Sequence, residues 1–369
     1  MSIDNFEESE DTMHETSLIH SPKIDTSNGM EFGLYTLGDH LPNPHTKKRI
    51  SATQRIKEII ELARLAEDAG FDIFQVGESH QEYFLSQSHL VILTAIAQAT
   101  KHIRLSSAVT TIGVLDPVRV YEDAATLDLI SNGRMELIAG RASRFGSFEL
   151  LGYNDIDYKE LFEEKFELLL QLNREKQVTW EGKFRAPLND AFILPRPLNN
   201  HLPIWRGLGN TMTSAIRAGE LGVPIFQATL AGAVMTYANR INNFRSAARD
   251  AGHDVGNIPV GTGGWTFIRE NTKEAYRQVY PYINEGFKLT NGESFPKRAL
   301  AQGKSVKSVV NIGDPSLITE KLLYQHEAFK QQRFSAQIDF AGMEFDEVKK
   351  TLYLLADKVI PNVKKYTKS

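Results

Sequence analysis

The chain contains no cysteine. That excludes a disulfide framework, a thiolate nucleophile, a thiolate-held iron–sulfur cluster and a cysteine-ligated zinc, and it leads to the expectation of a reducing, cytoplasmic compartment. No apolar run approaches the roughly 18 residues of a membrane helix. Strong charge of one sign is missing too: 46 acidic side chains face 42 basic ones, a net of -4 over 369 residues. The histidines are scattered, with no His-Glu-x-x-His pair, so no metal site is expected. What is present, 41% hydrophobic residues, is the composition of a soluble globular protein.

The small net charge is unevenly placed. Residues 1–29 carry seven acidic side chains (Asp4, Glu7, Glu8, Glu10, Asp11, Glu15, Asp25) and one base, Lys23, a net of -6. This stretch is poor in apolar residues and reads as a disordered acidic tail. The remainder sits near +2, which offers no field for nucleic acid or a membrane surface.

From Met30 onward, short apolar runs alternate with segments of helical period, the pattern of repeated βα units. The runs are 30–36, 71–76, 103–111, 135–139, 203–205, 223–226, 258–268 and 334–338. None carries a lysine, so Schiff-base chemistry inside a strand is excluded. Between them the spacing predicts helices, for example 117–130, which starts on Pro117 and stops at Asn132-Gly133. A small hairpin is expected over 178–184, turning at Glu181-Gly182. Eight units favour a closed (β/α)8 TIM barrel in one domain, 30–369, with its active site at the carboxyl ends of the strands. The polar stretch 291–313 is read as a lid or insertion over the mouth.

Three segments could carry chemistry. Pro203 to Arg217 is a strand, a glycine-containing turn with Gly209, and then Asn210, Thr211 and Ser214 at a helix start. Free N–H groups and hydroxyls there suit a phosphate, although the same features serve as a plain helix cap. The dinucleotide fingerprint fails at Met212. Second, Arg141 follows strand four at its carboxyl end, where a guanidinium reaches a phosphate; Arg134 lies at the opposite end and is assigned to structure. Third, Gly77-Glu78-Ser79-His80 follows strand two and brings a titratable pair to the mouth, with His80 able to shuttle a proton or to serve structure. His40, after strand one, is a weaker candidate of the same kind.

Taken together, Leu65 to Phe71, Glu78-Ser79-His80, the block Pro117 to Arg141, Trp205 to Gly222 and Asp357 to Pro361 resemble the bacterial-luciferase-like, flavin-dependent monooxygenases. The resemblance implies a TIM barrel that binds reduced FMN, or in some branches the deazaflavin F420, and uses oxygen on an aldehyde or related small organic substrate. It places phosphate contacts on Arg141, Gly209, Asn210, Thr211 and Ser214, ring contacts on Ala108, Thr110 and Gly140, and the catalytic pair on Glu78 and His80. Where many members read Glu-His-His, this chain has Ser79 in the middle. It further implies a separate NAD(P)H-dependent flavin reductase as partner and a homodimer. Phe32, Trp265 and Phe267 are expected to keep the pocket dry. Two alternatives share the barrel: an F420-dependent reductase, and a flavin-binding protein without turnover.

Overall fold

The computed structural model describes residues 22, 24–141 and 146–368. Most of the acidic segment, residues 1–21 and 23, lies outside them. Eight parallel strands form the barrel: β1 Glu31–Thr36, β2 Ile73–Val76, β3 Arg104–Ser107, β4 Met135–Gly140, β5 Ile204–Leu208, β6 Ile225–Ala228, β7 Val260–Ile268 and β8 Arg333–Gln337. Each pairs with the next, and β8 returns to β1 with Phe334 opposite Phe32, closing a (β/α)8 TIM barrel. The connecting helices start where local chemistry satisfies their free N–H groups. Ser51 accepts from Gln54, Asp116 precedes Pro117 and accepts from Val118, and Asp314 precedes Pro315 and accepts from Leu317.

Side chains alternate along each strand. Phe32, Leu34, Phe74, Leu105, Leu137 and Phe334 turn outward into the core shared with the helices. Inward at the amino end stands a charged network. Arg333 reaches Glu31 (2.9 Å) and both carboxylate oxygens of Glu136 (2.7 and 3.0 Å), Arg104 bonds Glu136 (3.0 Å) and pairs with Glu31, and Trp205 donates to Glu136 at 2.9 Å. Burial alone would raise the Glu136 carboxyl, but Arg333 and Arg104 outweigh it and hold it below the usual carboxylate range. Ile24 packs against the interior cluster that contains Trp205 and Phe226.

Two expectations change. The hairpin exists, but its strands are Gln177–Trp180 and Leu188–Phe192, so the turn is wider than Glu181-Gly182. Glu164 explains this, because its carboxylate accepts from the backbone N–H groups of Lys183, Phe184 and Arg185 and draws the connecting loop onto the helix Tyr158–Arg174. Phe32 and Phe267 do not line the barrel interior; strand alternation turns both toward the helices, Phe32 edge-on to Phe334 and Phe267 among Tyr276, Val279 and Ile312. Trp265 alone of the three lies at the mouth, stacked on Phe340 and edge-on to Phe295.

The stretch 291–313 carries structure of its own. A helix, Thr272–Asn291, ends at Gly292; a short one follows over Lys297–Gln302, and Asn311–Gly313 adds a strand beside the outer half of β7. Lys321 ties its loop down, donating to the carbonyls of Gly303 (2.7 Å), Ser305 (2.6 Å) and Ser308 (3.2 Å).

Candidate active site at the carboxyl end of the barrel

Strand β3 ends in a bulge. The Ala108–Val109 peptide is cis, and the chain then forms a two-residue strand, Thr110–Thr111, paired with Ala139 and Gly140 of β4. Val109 enters the barrel mouth across two glycines. A Cβ at Gly140 would lie 2.7 Å from one Val109 methyl, and a Cβ at Gly207 would lie 2.7 Å from the other. Glycine at 140 and 207 therefore makes room for Val109, whose partly exposed side chain forms a small apolar floor. Gly77 admits the same bulge, since a Cβ there would meet the Ala108 carbonyl at 2.2 Å.

Beside this floor, Glu78 is buried and its carboxylate is fully engaged. Oε1 accepts from His80 Nε2 at 2.6 Å, and Oε2 accepts from the Thr111 N–H at 2.7 Å. His89, on the first turn of the helix His89–Ala99, lies 3.8 Å from Oε2 through Nδ1, while its Nε2 meets the Thr110 hydroxyl at 2.7 Å. Burial pushes the Glu78 carboxyl up, but the His80 hydrogen bond, the His89 charge and the Thr111 N–H together bring it below its ordinary value. Burial pushes the His89 imidazole below its ordinary value, with Glu78 pulling the other way. Glu78 is thus ionised near neutral pH, so in this hydrogen bond His80 Nε2 is the donor and the carboxylate the acceptor.

Opposite lies the turn after β5. Gly209, Asn210 and Thr211 are exposed and precede the helix Met212–Glu220, and the Thr211 hydroxyl does not cap it. A Cβ on Gly209 would project into open space in front of this helix start. Arg141 leaves the end of β4, donates to the Thr211 hydroxyl at 3.1 Å and rests on the ring of Tyr158. Ser214 is buried, 3.5 Å from Arg206, whose guanidinium pairs with Glu163 and covers Phe162 on the outer side of β5. Arg240 holds the turn from behind, donating to the Asn210 carbonyl (3.0 Å) and to Gln227 (3.1 Å).

The structure thus brings Glu78, His80, Ala108, Thr110, Gly140, Arg141 and the 209–214 turn to one rim, joined through Thr111, which bonds Glu78 and pairs with Gly140. Thr110 is fully buried with its hydroxyl engaged by His89. His40 stands apart, its Nε2 bonded to the Ile50 carbonyl at 2.7 Å. Arg134 lies at the other end, tied to the carbonyls of Ala97, Ile103 and Ser131. Sequence reasoning missed His89, Val109 and Arg240. No spacing rule links His89 to Glu78 or Arg240 to Asn210; Gly140 and Gly207 were the signal that something larger must enter the mouth.

The start of the helix Met212–Glu220 has no side-chain cap and stands beside the Arg141 guanidinium on Thr211, and such N–H and guanidinium donors together suit a phosphate. Comparison with known proteins shows what the chain is similar to. The chain is 24% identical over 332 residues to the uncharacterized protein y4vJ of Sinorhizobium fredii, covering 85% of this chain and 93% of that one. It is 29% identical over 178 residues to the N-acetyl-S-alkylcysteine monooxygenase of Bacillus subtilis, a match spanning 47% of this chain and 51% of that protein. Three solved structures share the fold. Monooxygenase RslO1 of Streptomyces bottropensis superposes with TM-score 0.76 at 24% identity, covering 90% of this chain and 99% of that one. The oxygenating constituent of 3,6-diketocamphane monooxygenase of Pseudomonas putida, in complex with FMN, gives 0.72 at 20% identity over 90% and 98%. An F420-dependent secondary alcohol dehydrogenase gives 0.67 at 20% identity over 91% and 99%. The family model describing luciferase-like monooxygenases matches residues 30–332, and the chain belongs to that family.

Proposed function

We propose that this protein is an FMN-dependent monooxygenase, supplied with reduced FMN by a separate NAD(P)H-dependent reductase, that oxidises a small organic substrate. The observation that carries this reading is the Arg141–Thr211 hydrogen bond over the start of the helix Met212–Glu220. The helix start has no side-chain cap on its first N–H groups, and the Thr211 hydroxyl and Arg141 guanidinium stand beside it, a donor set for a phosphate dianion. FMN carries such a group at the end of a short chain, and the FMN complex of the diketocamphane relative supports the choice. Arg141, Asn210, Thr211 and Ser214 would hold the phosphate, and Gly209 would let the chain approach. Ala108, Val109, Thr110 and Gly140 would border the ring.

Reduced FMN, when bound, supplies the two electrons and two protons with which oxygen yields one atom to the substrate and one to water. The protein's own share is to exclude water and place a proton-transfer group. Trp265, Phe340 and Phe295 provide apolar cover on the β7 side. Ionised Glu78 fixes the His80 tautomer with Nε2–H toward the carboxylate, so that Nδ1 takes a proton at the mouth.

Anaerobic titration with reduced FMN and with reduced F420 tests the cofactor. Saturable FMN binding, weakened by about 1.5–3 kcal/mol in Arg141→Ala, is the expected result, the range for a hydrogen bond to a charged group. An unchanged FMN Kd in that variant, or preference for F420, would overturn the assignment. FMN binding with no oxygen-dependent product across a substrate panel would instead support a binding protein without turnover.

A further inference from the structure

Among the described residues, three arginines touch the 209–214 turn, each at a different point: Arg141 at the Thr211 hydroxyl, Arg206 at Ser214, and Arg240, from the helix Val234–Asp250, at the Asn210 carbonyl. Their charges are balanced unequally. Arg206 is fully buried and paired with Glu163, one guanidinium to one carboxylate. Arg141 and Arg240 form no ion pair with any described carboxylate; Arg141 rests on the Tyr158 ring and Arg240 near the Tyr237 ring.

Arg240 is the more demanding case, because it is only 6% exposed. Nη2 donates to the Asn210 carbonyl at 3.0 Å and Nη1 to Gln227 Oε1 at 3.1 Å, and both acceptors are neutral. Nε is buried with no hydrogen-bond partner among the described residues. A buried carboxyl escapes its cost by keeping a proton, whereas a guanidinium stays charged. The backbone does not offset that charge, since the partially positive start of the helix Met212–Glu220 follows Asn210 by two positions. Arg141 and Arg240 thus leave two positive charges at this turn without a carboxylate. A terminal phosphate monoester carries roughly -1.5 to -2 near neutral pH; a phosphodiester carries a single charge.

We propose that Arg240 is a positioning residue that sets the charge specificity of the phosphate site, supplying the second positive charge that matches a terminal phosphate dianion and disfavours a phosphodiester. The inference rests on the flavin reading above and assigns Arg240 no contact with the ligand. It acts through the turn. Because a trans peptide sets its N–H opposite its carbonyl, drawing the Asn210 carbonyl back to Arg240 turns the Thr211 N–H away from the guanidinium. The charge itself acts across that peptide from a site closed to water, where screening is weak.

The test is anaerobic titration of the full chain with three reduced flavins that share one ring: FMN, its methyl phosphodiester, and riboflavin, which has no phosphate. Arg240→Gln keeps a donor for the carbonyl but no charge, and Arg240→Lys keeps the charge. In Arg240→Gln the Kd should rise about tenfold for FMN, about threefold for the methyl ester and not at all for riboflavin, since a Coulomb effect scales with ligand charge. Arg240→Lys should stay within about threefold of the parent for all three. Equal weakening of all three flavins in Arg240→Gln, an unchanged FMN Kd there, or a loss in Arg240→Lys as large as in Arg240→Gln would overturn the proposal. Should Arg240→Gln fail to fold, Arg240→Met takes its place, and a parent that binds FMN and its methyl ester equally overturns the proposal without any variant. A parent that binds FMN no better than riboflavin would instead overturn the phosphate assignment itself, so the two failures are distinguishable.

Discussion

The two ends of this barrel solve opposite problems with the same residue types. At the amino end Glu31, Glu136 and Arg333 are buried, Arg104 is half-buried, the four are paired with one another, and none has a buried side-chain nitrogen or oxygen without a hydrogen-bond partner among the described residues. At the carboxyl end and the loops above it, Thr211 is exposed, Arg141 is half-buried, and buried oxygens of Thr111, Asp39 and Asp339 lack hydrogen-bond partners among the described residues. Charge that is mutually satisfied contributes rigidity; charge left unsatisfied is available to a ligand. The contrast fits the division of labour in such barrels, where the strands' amino ends serve stability and their carboxyl ends serve function.

The comparison can be broken most decisively at Glu136. Glu136→Ala leaves the buried Arg333 and the half-buried Arg104 without their shared carboxylate and should destabilise the fold by about 3–5 kcal/mol, measured by urea unfolding. In Arg141→Ala, by contrast, unfolding stability should stay within roughly 0.5 kcal/mol of the parent while FMN affinity falls. A large stability loss in Arg141→Ala would show that the two ends are not distinct in kind. His80→Ala sharpens the carboxyl end itself: turnover should fall about a hundredfold, the scale of one general acid or base, with a much smaller change in FMN Kd. Equal losses in both would make His80 a structural residue.

The smallest effect concerns pH. Burial, reinforced by the Asp339 charge and opposed by the Ala341 N–H, pushes the Asp39 carboxyl up to about 7 from its ordinary 3.8. Between those values the folded protein keeps the proton that the unfolded chain releases, so ionisation favours unfolding and stability falls as pH rises through this window. Asp39→Asn removes that limb. Its Tm should gain on the parent by a few degrees, roughly, between pH 4 and pH 7 and hold steady above it. Parallel Tm curves would show that Asp39 titrates normally.

The barrel was legible because its signals are periodic and local. Eight apolar runs, Pro117 after Asp116 and the Asn132-Gly133 stop each report on a few neighbouring residues, and the strands lie where those signals place them. Glu78, His80 and Arg141 were legible for a related reason: position relative to a strand end determines which end of the barrel a residue reaches. Facing was harder. Phe32 and Phe267 are apolar whichever way they point, and only the pairing register assigns them to the helix side. Contacts between distant segments left no local trace at all, as with His89 on Thr110 across 21 positions, or Arg240 behind Asn210 across 30.

Val109, Gly140 and Gly207 come from three different strand ends, yet they occupy what is sterically one position. A side chain can enter at 140 or 207 only if 109 gives up volume, so in evolutionary terms the three behave as a single inherited character. Across relatives of this chain their sizes should trade against one another while their sum stays nearly constant, and Gly140→Ala, harmful alone, should be rescued by Val109→Ala.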